Sequence, residues 1–406
     1  MAMGRTERPK QRLRQGYREF LGGGVKLLIA IMKNKMKKTK KRILGLLVAT
    51  AMLFGSCQND LDICNPDFNS TTFLNELNQQ FNGNVMGYAV VVTKDGTVID
   101  SRAEGKGIGG TDGDRAMSIN DRMHVASISK SLTTIATLKV LRDKNINVNT
   151  PVASYLPSSW SLGTGFENVT FFHLLNQSAN LNLFGTQTSG ATVLDSLQAY
   201  AAAGANPSNA RSYTNTHHAF LRVLLPRVWD KYPPATGLYD DQYYADNYKR
   251  CLQENVFDLI GISNADCQPP SVFPNFAYAG PNDLLGGGAF ADYSLTAGGF
   301  GWNLSTKELA QVWAYTFFTT TILEETDLNQ MTTSELGLWN SLNGARGRYL
   351  CKLGGWSYGN NDSYNSCLMS FPNGVQVAVL MNSPVPNNAV LSVLVRDAFD
   401  ASWNCN

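Results

Sequence analysis

HVASISKSLTTIATLKVLRD, residues 124 to 143, decides how this chain is read. Ile128, Leu132, Ile135, Leu138 and Leu141 recur at intervals of three and four, which predicts a helix that ends at the Asn-rich NINVN, residues 145 to 149. At its head Ser127 stands three positions before Lys130, a spacing that puts both on one helix face. The positive end of the helix dipole opposes an ammonium there, and burial opposes it too, so Lys130 should give up its proton more readily than a free lysine. A neutral amine beside a hydroxyl can take its proton and turn a weak serine nucleophile into a useful one. S-x-x-K is common by chance, yet no other lysine beyond Cys57 has a serine three positions before it. Ser129 is as near in sequence but faces elsewhere on the helix.

Outward from this helix, the clearest element is MGYAVVVTKDGTVIDSRAEGKG (Met86 to Gly107), where β-formers flank Asp95-Gly96 as in a hairpin. A helix precedes it from about 70 to 81. Helical patches follow near 191–203, 217–230, 245–260 and 305–318, and Thr150-Pro151 opens a further short helix by capping logic. The chain then returns to strands in GRYLCKLGGW, NSCLMSF and VQVAVLM, the last two separated by the Pro372-Asn373-Gly374 turn, and closes with the amphipathic AVLSVLVRDAFDASW. Strands at both ends with helices between predict an α+β fold. One antiparallel sheet would be flanked by the N- and C-terminal helices, with residues about 69–126 and 295–403 forming its α/β part and about 127–294 a mostly helical inserted domain.

Two further motifs carry chemistry. Tyr213-Thr214-Asn215 precedes a helix: the phenol can relay protons if neighbouring cations lower its pKa, and the amide can orient a substrate carbonyl. Lys352-Leu353-Gly354-Gly355 lies on a strand, which would carry an ammonium and an edge without side chains past the site. Backbone N–H groups at such a glycine can serve an oxyanion hole.

The order S-x-x-K, Y-x-N, K-x-G resembles that of the serine β-lactamases and penicillin-binding proteins, specifically the class C β-lactamase, DD-peptidase and esterase branch. Tyr358-Gly359-Asn360 also fits Y-x-N but follows the third motif. The resemblance extends over roughly Met86 to Trp403, through NVNTPVASYLP, VTFFHLLNQSANL and AGGFGWNLSTKELAQVWA. It implies a β-lactamase/DD-peptidase-like fold and a hydrolase that works through an acyl-enzyme on an ester, peptide or amide bond, with no metal or organic cofactor. Ser127 would be acylated and Lys130 would accept its proton. Tyr213 would shuttle protons, Asn215 would orient substrate, Lys352 would hold the field around Tyr213, and the N–H groups of Ser127 and Gly355, beside Gly354, would bind the oxyanion. Two departures stand out. Asn176-Gln177-Ser178-Ala179 replaces a frequent H-T-S-G, which reshapes a supporting loop, and Leu353 replaces a hydroxyl that helps to bind a substrate carboxylate.

The chain ends speak to location. Of 34 Lys and Arg, fourteen fall in residues 1–42 beside two acidic groups, leaving 20 basic against 30 acidic side chains in the rest, which argues against nucleic acid as a partner. MKKTKKR from Met36, then the 14-residue apolar run Ile43–Ser56, reads as an export signal too short for a spanning helix. LFGSC resembles a bacterial lipobox, which would make Cys57 the lipidated first residue of an exported cell-envelope protein, in the periplasm or on the outer surface; an uncleaved membrane anchor is the alternative. Residues 1–56 are then leader and signal, with Met32 and Met36 better starts than Met1, residues 57–68 a tether, and residues 69–403 the hydrolase domain. The six remaining cysteines suggest bridges Cys251–Cys267, Cys351–Cys367 and Cys64–Cys405.

Three rival readings are weighed. Gly355-Trp356-Ser357-Tyr358-Gly359 fits the nucleophile elbow G-x-S-x-G, but that fold needs a helix next and a histidine later, and all four histidines come earlier. The adjacent His217 and His218 point in different directions on a helix and lack a carboxylate partner, which suits a structural role better than a metal site. The non-enzyme alternative is a catalytically inactive surface lipoprotein that keeps the fold as a binding module. It has no need of Lys130 behind Ser127.

Overall fold

The computed structural model describes residues 67–182, 193–234, 239–271, 275–358 and 360–404. Nine helices of this described part are α1 (Ser70–Phe81), α2 (Ser129–Asp143), α3 (Phe171–Asn176), α4 (Leu194–Ala203), α5 (Asn215–Trp229), α6 (Asp241–Leu252), α7 (Thr306–Phe318), α8 (Glu325–Thr333) and α9 (Leu391–Ala401). The principal strands are β1 (Gly87–Lys94), β2 (Thr97–Ile108), β3 (Arg115–Ala116), β4 (Leu342–Gly344), β5 (Gly347–Ser357), β6 (Ser363–Ser370) and β7 (Val375–Met381). They form one sheet in the order β3-β2-β1-β7-β6-β5-β4, every pair antiparallel. The fold is therefore α+β, as the strand and helix pattern predicts.

The two ends of the chain meet at its centre, where β7 pairs β1 from Val375 opposite Lys94 to Met381 opposite Tyr88. Asp95 and Gly96 both have positive φ, 49° and 82°, as a two-residue turn matched to strand twist requires. In β1, Tyr88, Val90 and Val92 join one core cluster while Ala89 and Val91 join another, so the period-2 alternation feeds two buried faces. One face is covered by α1 and α9 through Phe73, Leu77, Val395 and Phe399. Asn69 caps α1 by accepting from Thr72 N at 2.8 Å. The other face is covered by α7 and, over β5 and β6, by the 3-10 turn Ala126–Ile128 that leads into α2, with α5 packed on α2.

Helix α2 is buried nearly all round although half of its inward positions are polar. Its hydroxyls are satisfied: Ser131 donates to Gly337 O at 2.9 Å, Thr133 to Gly298 O at 2.7 Å and Thr134 to Lys130 O at 2.8 Å.

Two sequence expectations are corrected. Thr150-Pro151 does not start an α-helix. Pro151 bridges to Thr170, and only a 3-10 turn at Ala153–Tyr155 follows. The stretch 245–260 is helical as expected, though not α throughout: α6 stops at Leu252, and a π turn, Gln253–Phe257, and a 3-10 turn, Asp258–Ile260, complete it. Neither local disulfide is formed, since Cys251, Cys267, Cys351 and Cys367 are buried thiols. The Cys351 and Cys367 sulfurs lie 3.9 Å apart on diagonal positions of β5 and β6, against about 2.05 Å for a bond. Burial pushes the Cys251 and Cys267 thiols upward, which keeps them protonated. Cys57, Cys64 and Cys405 lie outside the described residues. Among the described residues no helix is long and apolar enough to cross a membrane.

Candidate active site

Ser127 sits on the 3-10 turn Ala126–Ile128 that runs into α2. Ala126 holds φ of +49°, a left-handed conformation that costs a residue with a Cβ about 1–3 kcal/mol and persists only where the surroundings fix it. They do so here. Val125 N donates to Trp302 O at 3.0 Å, Ser366 Oγ donates to Val125 O at 2.9 Å, and Gly301 N donates to His124 Nε2 at 3.2 Å. Strand β5 presses on the same turn through Gly354, where a Cβ would come within 2.6 Å of Val125 O and 3.0 Å of Ser127 N. Only glycine lets the strand pass. Gly355, one position on, is open, its nearest neighbour being Asn365 Oδ1 at 3.8 Å from a Cβ placed there.

Lys130 Nζ lies 3.1 Å from Ser127 Oγ, 2.6 Å from Asn215 Oδ1 and 2.7 Å from Gly299 O. Tyr213 OH donates to Ser127 Oγ at 2.6 Å. Tyr213 and Asn215 are delivered by the N-terminus of α5, which Thr214 caps by accepting from Thr216 N at 2.9 Å. The departure Asn176–Ala179 has a support role: Gln177 Oε1 accepts from Thr214 N at 3.0 Å, and Gln177 O accepts from Ser212 N at 2.8 Å. Lys352 approaches from β5. Its Nζ stands 5.0 Å from the centre of the Tyr213 ring, fully buried and without a hydrogen-bond partner among the described residues.

Burial lowers Lys130 well below the ordinary lysine range, and the Lys352 charge lowers it further. Burial also brings Lys352 down to about 7. Three partners surround the Lys130 amine. Asn215 Oδ1 and Gly299 O can only accept, so two N–H bonds of Lys130 are committed to them and the third position of Nζ faces Ser127 Oγ, where an ammonium donates and a neutral amine offers its lone pair. Partial desolvation raises the Tyr213 pKa, although the residue stays 41% exposed on the cleft side, and the Ser127 bond offsets this in part, so Tyr213 is a phenol that donates to Ser127 rather than a phenolate.

Sequence reasoning missed a stack behind Tyr213. The Trp339 ring meets the Tyr213 ring edge-on with centres 5.0 Å apart, and the Arg211 guanidinium lies 4.3 Å from the Trp339 ring centre. Arg211 is fixed by Glu335 at 2.8 Å, Leu338 O at 2.6 Å and Asn176 O at 3.0 Å. Trp339 N donates to Cys351 O at 3.1 Å, so the stack is tied to the strand that carries Lys352. No local motif announces it, because its members come from loops about 130 residues apart.

The rival motifs fall into place. Ser357 ends β5 and is followed by β6, where a nucleophile elbow needs a helix. His217 and His218 are buried, not on the surface. Burial lowers His217 to about 3, and neither of its ring nitrogens has a partner among the described residues. Among the described residues no three His, Cys, Asp or Glu cluster as metal ligands.

A seven-stranded antiparallel sheet, with a serine, two lysines and a tyrosine gathered at the edge of β5, defines the β-lactamase/transpeptidase-like class of fold. The beta-lactamase family profile matches residues 74–398, and the chain belongs to that family. Solved structures agree in fold. The octameric penicillin-binding protein homologue from Pyrococcus abyssi is 17% identical with a TM-score of 0.61, over 81% of this chain and 75% of that one. The beta-lactamase/D-alanine carboxypeptidase from Yersinia pestis is 15% identical with a TM-score of 0.61, over 82% of this chain and 99% of that one. The D-amino acid amidase from Ochrobactrum anthropi SV3 is 13% identical with a TM-score of 0.59, over 82% of this chain and 96% of that one. A comparison with curated proteins found no match.

Proposed function

We propose that this protein is a serine hydrolase that cleaves an ester, peptide or amide bond through an acyl-enzyme on Ser127. The observation that carries the reading is the hydrogen-bond geometry of Lys130, whose amine has two acceptor-only neighbours and one hydroxyl. As Ser127 Oγ attacks the substrate carbonyl carbon, its proton passes to Lys130. The negative charge that develops on the carbonyl oxygen is held by the N–H groups of Ser127 and Gly355. The proton then returns through the Tyr213 hydroxyl to the departing alcohol or amine, and the carbonyl re-forms as the acyl-enzyme. Water enters in its place and gives a proton to the Tyr213–Lys130 pair as its oxygen attacks the acyl carbon; the pair returns that proton to Ser127 Oγ as the ester bond breaks, which releases the acid and restores Ser127. Asn215 orients both Lys130 and the substrate, and Lys352 sets the field beneath Tyr213. D-alanine carboxypeptidase and D-amino acid amidase activity in proteins of this fold support a hydrolytic role, as does family membership.

The protein is further proposed to be exported and held to a membrane of the bacterial envelope by a lipid on Cys57, with residues 57–68 as its tether.

The test is mass spectrometry after treatment with a fluorophosphonate. The adduct is expected on Ser127, and labelling that persists in Ser127→Ala contradicts the assignment.

A further inference from the structure

Beyond the catalytic cluster, a cleft of about 620 Å³ wraps the part of β5 past Lys352 that β4 leaves unpaired, a size that suits a small organic substrate. Its floor is Ser127, Tyr213 and Asn215, and its walls include Phe300, Trp339 and Trp356. Past Gly355 it continues over an apolar lip of Leu353, Val385, Val390 and Leu391 at the N-terminus of α9. The polar groups among its lining residues are neutral: Asn340, Ser357, Asn365 and Ser366 beside the catalytic groups. No Asp, Glu, Lys, Arg or His lines it among the described residues. Lys130 and Lys352 are fully buried behind this wall, and Arg211, stacked on Trp339, is held by Glu335 and two backbone carbonyls. A carboxylate laid on this lip would lose its water and meet no cation, whereas an alkyl or aryl group would lose only water it gains by leaving.

We infer that the substrate carries an uncharged, apolar group past Gly355 onto the Leu353–Val390 lip, and that these two residues determine specificity. The inference rests on Ser127 being the acylated nucleophile. The open face of Gly355 supplies the passage, and the absent side chain at Gly354 lets β5 lie close enough to Ser127 for the group to reach the lip. Peptides ending in a free carboxylate at this position are poor substrates for the same reason.

The experiment compares matched pairs of esters on the intact protein. One pair, nitrophenyl butyrate and the nitrophenyl half-ester of succinate, differs by a terminal carboxylate on the acyl side. A second pair differs by a carboxylate on the alcohol side of an otherwise identical ester. In the pair whose variable end reaches the lip, kcat/KM is expected to favour the neutral member by about thirtyfold or more, and to rise by roughly threefold per added methylene. Val390 is 51% exposed, so Val390→Arg should fold, and it should shrink the preference about tenfold, chiefly through KM for the charged member. Leu353→Arg should act in the same direction. Equal turnover of charged and neutral members in both pairs, or a preference that survives both arginine variants, overturns the inference. No turnover of any ester together with no fluorophosphonate adduct on Ser127 overturns instead the hydrolase reading beneath it.

Discussion

The two faces of the sheet are built from the same seven strands and serve opposite ends. Toward α1 and α9 the packing is mainly apolar, with no buried charged side chain in its core cluster, and Phe371 and Phe399 stack with ring centres 3.6 Å apart. Toward α2 and α5 the chain buries Lys130, Thr133, Thr134, His217, His218 and Lys352, groups whose burial costs free energy unless they are paired or neutral. The first face stabilises the fold. The second holds groups whose ionisation the low-dielectric surroundings have reset, and those are the groups that chemistry can use.

This contrast can be broken by substitution. The largest effect is expected at the serine and amine: Ser127→Ala and Lys130→Met should each lower kcat/KM by about 10⁴ or more, and the double variant should be little worse, because the pair acts as one unit. Steady-state kinetics on the three variants decides it. On the opposite face Phe399→Ala should cost about 3–5 kcal/mol in urea unfolding and leave kcat/KM of the folded fraction unchanged. Activity loss without destabilisation there would erase the division of labour.

Lys352 should show the two roles in conflict. Its folded pKa, about 7, lies below the ordinary 10.5, so between these pH values the unfolded chain binds a proton that the folded chain does not. Stability on this account increases as pH rises from about 7 to 10.5, and near neutrality the lysine is a cost. Lys352→Met should therefore raise Tm at pH 7.5, by an amount that fades toward pH 10.5, while kcat falls by roughly 10²–10³-fold. Thermal melts across that window check the sign. The smallest effect belongs to Trp339, a positioning residue that backs Tyr213. Trp339→Leu should lower kcat about tenfold with less change in KM, and Trp339→Phe should restore most of it.

Much of the stabilising face was legible in the sequence, because α1 and α9 carry apolar residues at helical spacing and β1 is a run of β-formers that ends at the Asp95-Gly96 turn. Helix α8 was not. ETDLNQMTT has only Asp327 and Met331 buried, and Glu324 and Asp327 cap its start, so no apolar stripe marks it. At Thr150-Pro151 the local capping signal was outcompeted by the bridge from Pro151 to Thr170. In the site, the Ser127–Lys130 spacing and the two later motifs could be read directly. The second acceptor that fixes the Lys130 amine, the Gly299 carbonyl, could not, since a backbone atom 169 positions away leaves no side-chain signature. The Tyr213 ionisation could not be read for a related reason: the sequence leaves open whether cations beside the phenol lower its pKa, and in the fold desolvation raises it.

The central claim is that Lys130 is a neutral amine at working pH and takes the Ser127 proton. The most direct measurement is the second-order rate of Ser127 modification by a fluorophosphonate as a function of pH, in the wild type and in Lys352→Met. The wild-type rate should reach its plateau well below pH 10.5. Removing the neighbouring charge should move the rising limb to higher pH, because Lys130 then holds its proton longer. A rate that climbs steadily to the ordinary lysine pKa, unmoved by Lys352→Met, would contradict it.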